Sequence, residues 1–356
     1  AFRRGQCDVE SQFAERHGGR SLQTSAEIIP VSHELENDMD GDTSNAGGRT
    51  LVTGGAGFVG QHVITALLQR GDQVVALEHR RKLPAEVATQ CCEVIAGDLV
   101  DELVQRRAVQ QVDRVCHLAA YIPRNMDDAA EAEACHRVNA LATLGLARAA
   151  IERGVERFVY LSAANSYRRG DEPATENDPV FPSEFAPYYL TSKLAGEIYL
   201  HHACRRSATQ AITLRVGTPY GPGEPSAKVI PSLLARAARG EPLRLRQGGR
   251  PTYNFVDVED VARCVAAALE SGESGVYNFA SGENTSLLEL AQTIAEFHAE
   301  RPPPISVEPA DEDGFRGFPA ISVEKARRTW GLTPLTLQEG LRRYRSATAY
   351  TARGRQ

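Results

Sequence analysis

The sequence predicts an α/β fold, a doubly wound parallel sheet followed by a smaller C-terminal α/β lobe. Three observations predict it. Short apolar runs alternate with helix-length segments. A glycine triplet joins the first run to the first helical segment. The 356 residues exceed what one simple core needs. Thr50–Thr53 reads as a buried strand ended by glycines, and Phe58–Gln69 carries a helical period. Gln73–Leu77, Glu93–Ala96 and Arg114–Leu118 supply the next three strands. Such runs suit strands covered on both faces. Asp128–Arg153 is Ala-rich and long enough for a full crossover helix. Arg157–Leu161, Tyr188–Arg205 and Ala211–Arg215 continue as strand, helix and strand. After Pro219 the pattern becomes irregular and richer in Pro and Gly, the mark of a lobe built from insertions.

Composition narrows the function. Hydrophobic residues make up 42% and charged residues 24%, an ordinary globular balance. No apolar run approaches the ~20 residues that span a bilayer. Forty Lys and Arg against forty-six Asp and Glu give −6, which disfavours a nucleic-acid partner. The seven cysteines are odd in number and form no C-x-x-C pair. Reduced thiols in a cytoplasm, with no metal site, are the plain reading. No charged and then apolar leader marks a signal peptide. Residues 1–48 hold nine Asp and Glu and little apolar periodicity, so a disordered arm is expected. Met39 is the expected natural start of translation.

Thr53-Gly54-Gly55-Ala56-Gly57-Phe58-Val59-Gly60 links the first strand to the first helix. Gly54 permits the tight turn, Gly57 admits a pyrophosphate to the backbone, and Gly60 lets helix and strand pack closely. The helix N-terminus offers free N–H groups to phosphate. This reads residues 49–218 as a Rossmann-type NAD(P)-binding domain, to which segments after 255 partly return. Residues 219–345 then form mainly the substrate-binding lobe, and 346–356 a tail. Glu78 ends the second strand, where a carboxylate accepts ribose hydroxyls and favours NAD. Arg80 and Arg81 follow and can clamp a 2′-phosphate, so NADP stays open. Asp98 is either an adenine contact or a cap before Leu99.

Tyr189 and Lys193 lie four apart on one helix face. A cation beside a phenol favours the phenolate and draws its pKa toward working pH. The pair therefore reads as a general acid/base with its support. Tyr121 and Arg124 follow the C-terminal end of the fourth strand, where ligands sit in such sheets, and are candidate substrate contacts. His117, ending that strand, reads as packing beside the cofactor.

With these motifs in view, the sequence resembles the extended short-chain dehydrogenase/reductase family, which contains NAD-dependent sugar-nucleotide epimerases and dehydratases. The carriers are the 53–60 loop, Gly97-Asp98, His117-Leu118-Ala119-Ala120, Asn139, Tyr189/Lys193 and Tyr220-Gly221-Pro222-Gly223. Phe255–Ala262 and Val276–Gly282 add to them, and together they span roughly residues 50–345. The resemblance implies that Phe58, Val59, Leu99, Leu118, Ala119, Ala120 and Asn139 line the cofactor. It also implies a homodimer, paired through the helices at 128–153 and 188–205.

The chain departs from the family pattern at several positions. The usual Ser or Thr four residues before Tyr167 is Ala163. Ser162 lies one residue early, and on a strand such a shift turns the side chain to the opposite face. Ser162, Asn165, Ser166 or a water then supplies the missing hydrogen bond, or the site is impaired. Thr218 stands where Asn is common, and Tyr253 where Arg clamps a diphosphate. Arg250 and Arg316 are the candidate replacements. Ala164-Asn165 replaces the dehydratase Asp-Glu pair, which disfavours that reaction.

The leading expectation is an NAD(P)-dependent epimerase or oxidoreductase that transfers hydride reversibly at a carbon of a nucleotide-linked sugar. One alternative is a ketoreductase or dehydrogenase acting on a non-nucleotide substrate. Another, from a different class, is a catalytically weak dinucleotide-binding sensor or scaffold.

Overall fold

Parity along the strands builds the core. The structure is a computed structural model that describes residues 47–181, 185–298, 300–312 and 314–353. All lie in one compact unit, Asn45–Gln356. The expected arm and the Met39 start fall outside the described residues, except that Gly47 and Gly48 already belong to the first strand.

The first half runs β1 (Gly47–Thr53), α1 (Phe58–Arg70), β2 (Asp72–Glu78), α2 (Ala85–Ala88), β3 (Glu93–Ala96), α3 (Glu102–Ala108) and β4 (Arg114–His117). It continues with α4 (Ala132–Cys135), α5 (Ala142–Glu152), β5 (Arg157–Ala163), α6 (Pro187–Cys204) and β6 (Gln210–Val216). The second half holds β7 (Thr218–Tyr220), α7 (Val229–Ala238), β8 (Leu243–Leu245), β9 (Thr252–Tyr253), β10 (Phe255–Asp257), α8 (Val258–Glu270) and β11 (Gly275–Phe279). Then come β12 (Thr285–Ser286), α9 (Leu287–Glu296), β13 (Ile305–Val307), α10 (Glu324–Trp330) and α11 (Leu337–Arg353).

Seven strands pair in parallel in the order β11-β6-β5-β4-β1-β2-β3. Val52, Val74, Ala76, Cys116 and Val159 point to one face, into a core shared with α1 and α8. Leu51, Val75, Val115, Phe158 and Tyr160 point to the other, against α3, α5 and α6. A period of two with both faces covered gives the continuous apolar runs of the sequence. A third cluster, including Ile230, Leu245, Phe255, Leu290, Ile294 and Leu341, closes the C-terminal region. The chain reverses direction across the sheet between β1 and β4, the crevice where doubly wound sheets bind ligands.

Two differences from the sequence reading bear on the site. The helix expected over 128–153 is broken: a π-helical turn at His136–Leu141 separates α4 from α5. Such turns insert one residue into the ladder and gather at functional sites. Asn139 lies within it, fully buried. The short α3 has no counterpart in the sequence reading. Its start is capped by Asp101, whose side chain accepts the Leu103 N–H.

Helix α6 reaches this π turn because residue 196 is glycine. A Cβ there would lie 2.5 Å from the Asn139 carbonyl and 2.6 Å from the Tyr160 hydroxyl. Gly196→Ala is therefore expected to destabilise the fold by about 1–3 kcal/mol, read from a denaturant titration. An unchanged midpoint would show that the helix tolerates displacement.

Candidate active site

The glycine loop has the shape its sequence promised. Gly54 takes φ +72°, and a Cβ there would meet the Ala119 nitrogen at 2.6 Å. At Gly60 a Cβ would meet the Gly54 carbonyl at 2.2 Å, so α1 can rest on the loop only without a side chain. Gly57 differs: its Cβ would touch only the Gly54 carbonyl, at 3.1 Å, leaving space for a ligand. No side chain caps the start of α1, so its first N–H groups are left for an anion. Phe58 and Val59 sit half-buried beside it. These features fit a dinucleotide pyrophosphate.

Glu78 is buried at the end of β2 and accepts the Leu83 N–H at 2.6 Å. Its second oxygen lies 3.1 Å from the Lys82 ammonium. Burial works to raise its pKa, yet the Leu83 and Lys82 contacts leave it below the ordinary value. It is a fixed anion where ribose hydroxyls would arrive. Arg80 and Arg81 are exposed. Asp98 is exposed too, accepts the Val100 N–H at 3.2 Å, and faces His79 at 3.6 Å. Leu99 is buried, while Leu118, Ala119 and Ala120 are half-buried after β4.

Lys193 is only 2% exposed, and its Nζ lies 4.1 Å from the centre of the Tyr160 ring. Burial presses its pKa down to about 7 against the pull of Glu197. One helical turn earlier, burial pushes the Tyr189 phenol up to about 12, with Cys135 adding to it. This corrects the expectation that the neighbouring ammonium draws the phenol toward working pH. Burial sets the shift, with no lowering contribution from Lys193, and Tyr189 is held as an acid with its proton on.

Ser162 donates its hydroxyl to Glu197 at 2.5 Å. Glu197 is gripped by Arg215 at 2.7 and 3.1 Å, and Arg215 reaches Tyr167 at 2.7 Å. Ser166 points to the Ala163 carbonyl at 3.3 Å. Asn165 differs from both, because its side-chain oxygen is buried without a partner. Glu197 and Arg215 were missed by the sequence reading. Their signal was a carboxylate four residues beyond Lys193, on the same helix face.

Asn139 holds the π turn to its surroundings. Its amide accepts the Tyr121 N–H at 2.7 Å and donates to the Tyr121 carbonyl and the Ser192 hydroxyl, both at 2.9 Å. The Tyr121 hydroxyl donates to Glu131. Arg124 is exposed.

Farther along, Thr218 is half-buried on β7, and Arg250 and Arg316 are exposed. Tyr253 stacks on Phe255 at 5.4 Å and meets Phe315 and Phe318 edge-on. Phe185, four residues before Tyr189, stacks on Phe315 at 4.8 Å. Tyr253 was a candidate substrate contact from the sequence, whereas Phe185, Phe315 and Phe318 were missed, because they lie far from it in the chain. Among the described residues no cluster of His, Cys, Asp and Glu could hold a metal. None of their helices is long and apolar enough to cross a membrane.

Residues 50–280 match the NAD dependent epimerase/dehydratase family. The dTDP-4-dehydro-6-deoxy-D-allose reductase of Streptomyces bikiniensis is 31% identical over 272 residues, 70% of this chain and 81% of its own length. The 2-alkyl-3-oxoalkanoate reductase of Stenotrophomonas maltophilia is 28% identical over 339 residues, 85% of this chain and 99% of its own length. Among solved structures, MoeE5 in complex with UDP-glucose and NAD superposes with a TM-score of 0.74 at 31% identity, covering 86% of this chain and all of that one.

Lys193 gives a pH test. Its folded pKa of about 7 lies below the ordinary 10.5, so between those values the unfolded chain binds the extra proton. Stability should rise across that window, with the penalty fully present below pH 7. Lys193→Met should raise stability near pH 6.5 by on the order of 2 kcal/mol and flatten the rise. Thermal melts from pH 6 to 10 check both, and an unchanged slope would remove Lys193 as its source.

Proposed function

The chain belongs to the NAD dependent epimerase/dehydratase family, and from that premise we propose that it transfers hydride reversibly at a hydroxyl or keto carbon of a nucleotide-linked sugar. The observation that carries this reading is Lys193, buried over Tyr160 one turn from Tyr189. Bound NAD supplies or takes the hydride. Tyr189 manages the proton: its phenol protonates the substrate oxygen as carbonyl becomes hydroxyl, and the phenolate takes the proton back in reverse. Lys193, when charged, stabilises that phenolate in a site where water does not compete. Gly57 would leave room for the pyrophosphate at the start of α1, Gly54 and Gly60 give the loop its turn and its packing, and Glu78 favours NAD over its 2′-phosphorylated relative. With Ser162 and Ser166 engaged elsewhere, the Asn165 amide is the group left where Ala163 offers none: its Nδ2 would donate to a reacting carbonyl oxygen, and its unpartnered Oδ1 would accept from a hydroxyl. The six free thiols among the described residues support a reducing, cytoplasmic setting.

A second reading has its own observation. The group Phe185, Tyr253, Phe315 and Phe318 presents ring surface where Arg was expected to clamp a diphosphate. That favours a ketone or alcohol with an apolar body, and the alignment with the alkyl-oxoalkanoate reductase runs nearly its full length.

We also propose a homodimer. Leu141 and Ile198 are exposed at 48% and 57%, with Leu144 and Leu194 half-buried nearby in sequence on the same two helices. An edge contact between His136 and Tyr199 joins those helices, and a second copy of the pair is the occupant that would cover them. Light scattering should report a dimer for the native chain and a monomer for Ile198→Asp. A dimer in both would move the interface elsewhere.

Released nucleotide, nucleotide-sugar epimerisation and reduction of apolar ketones form the activity test. Tyr189→Phe should lower turnover at least ~100-fold while NAD still binds. Retained turnover would remove Tyr189 as the acid. Turnover of ketones alone, with no nucleotide sugar accepted, would replace the first reading by the second.

A further inference from the structure

We propose that His117 is a positioning residue which, as a neutral ring protonated on Nε2, couples the glycine loop to the helix carrying Tyr189 and Lys193. It rests on the reading of those elements as cofactor loop and proton-transfer pair.

His117 ends β4 with none of its surface exposed, and both ring nitrogens have partners. Nδ1 lies 2.6 Å from the Thr53 hydroxyl and Nε2 lies 2.9 Å from the Thr143 hydroxyl. The neighbours fix the direction of each bond. The Thr143 hydroxyl donates to the Asn139 carbonyl at 2.8 Å, an atom that can only accept. Its single proton is thereby used, so toward His117 its oxygen accepts, and Nε2 carries the hydrogen. In a neutral ring Nδ1 is then bare and accepts from Thr53. The Thr53 oxygen in turn accepts the Ala119 N–H at 3.2 Å. With Thr143 donating to Asn139, each bond of the His117 ring takes one direction, and the Tyr160 hydroxyl is a further partner of Thr143.

Beyond Asn139 the chain continues into α6. The Asn139 amide donates to Ser192 at 2.9 Å, and the Ser192 hydroxyl donates to the Tyr189 carbonyl at 2.7 Å. An unbroken path thus runs from the residue before Gly54 through β4, α5 and the π turn to the backbone of Tyr189. The ring also stacks on Tyr160 at 5.4 Å, the side chain over which Lys193 sits. A charged imidazole would turn a second donor onto Thr53 and repel the Lys193 ammonium. Burial and Lys193 hold the ring neutral, with its pKa pressed down to about 3. Nothing in this chain touches substrate, so its effect falls on geometry.

Two measurements test it on the intact protein. NMR of ring-labelled histidine, with His117→Gln identifying the signal, should show a protonated Nε2 and a bare Nδ1 at pH 7. The opposite tautomer, or an imidazolium, would overturn the proposal, and this readout needs no substrate. Thr143→Val removes the acceptor, and should lower kcat ~10- to 100-fold while KM for NAD stays nearly constant. Thr143→Ser keeps the hydroxyl and should retain turnover. A folded Thr143→Val enzyme with native kcat would overturn the proposal. Should Thr143→Val fail to fold, the ring signature decides. A native chain that turned over none of the substrates would sink the proposed function, and the ring signature would still decide this inference.

Discussion

The removal of one lysine from water organises the centre of this molecule. An ammonium without a hydration shell is strongly disfavoured, and its surroundings must offset that penalty. Lys193 finds the face of Tyr160 at 4.1 Å and the nearby charge of Glu197. Those two partners impose most of the neighbouring structure. Tyr160 must stand on the α6 side of β5, which strand parity decides. Residue 196 must be glycine for α6 to come close enough. Glu197 is itself buried and requires Arg215 and Ser162 to satisfy its oxygens. Removing Arg215 or Glu197 alone leaves the other charge unpaired in a dry interior, which is far costlier than losing a surface pair.

This explains which parts were legible beforehand. The sheet was readable because both faces of its central strands are covered, so those strands are apolar over most of their length. The loop at 53–60 was readable because three glycines answer three separate steric demands. Tyr189 and Lys193 were readable because four residues on a helix return to one face. The π turn was not, since its extra residue has no local marker and is held by the tertiary contacts of Asn139. Ser162 shows the same limit. Its type and place suggested chemistry, while its hydrogen bond is decided by Glu197, thirty-five residues away. The Tyr189 proton also escaped the sequence reading, because the depth at which the phenol is buried has no local marker.

The aromatic group belongs to this second kind. Tyr253 and the pair Phe315 and Phe318 come from separate segments, and Phe185 precedes α6. Each alone reads as an ordinary core residue. Assembled, they pack ring against ring, with the Arg169 guanidinium donating to the Thr252 hydroxyl and to the Arg316 and Phe318 carbonyls beside them. Ring surface is worth little to a diphosphate and much to a sugar face or an alkyl body.

The absence of a hydroxyl at Ala163 then acquires a physical context. A donor at that position would share the charge that builds on the reacting oxygen. Without it, more of that stabilisation falls on Tyr189, which is held protonated and can give up its proton fully. A phenol near 12 is a weak acid for this task unless its conjugate base is stabilised at the moment of transfer. Burial lowers the Lys193 pKa toward neutrality, and the lysine follows Tyr189 by one turn on the same helix. The two shifts are therefore complementary: the same dry environment that keeps the proton on Tyr189 strengthens the attraction between phenolate and ammonium once the proton leaves. Burial that disfavours each charge alone favours the pair. Chemistry at this site thus depends less on how many donors surround the oxygen than on how firmly α6 is held against the sheet.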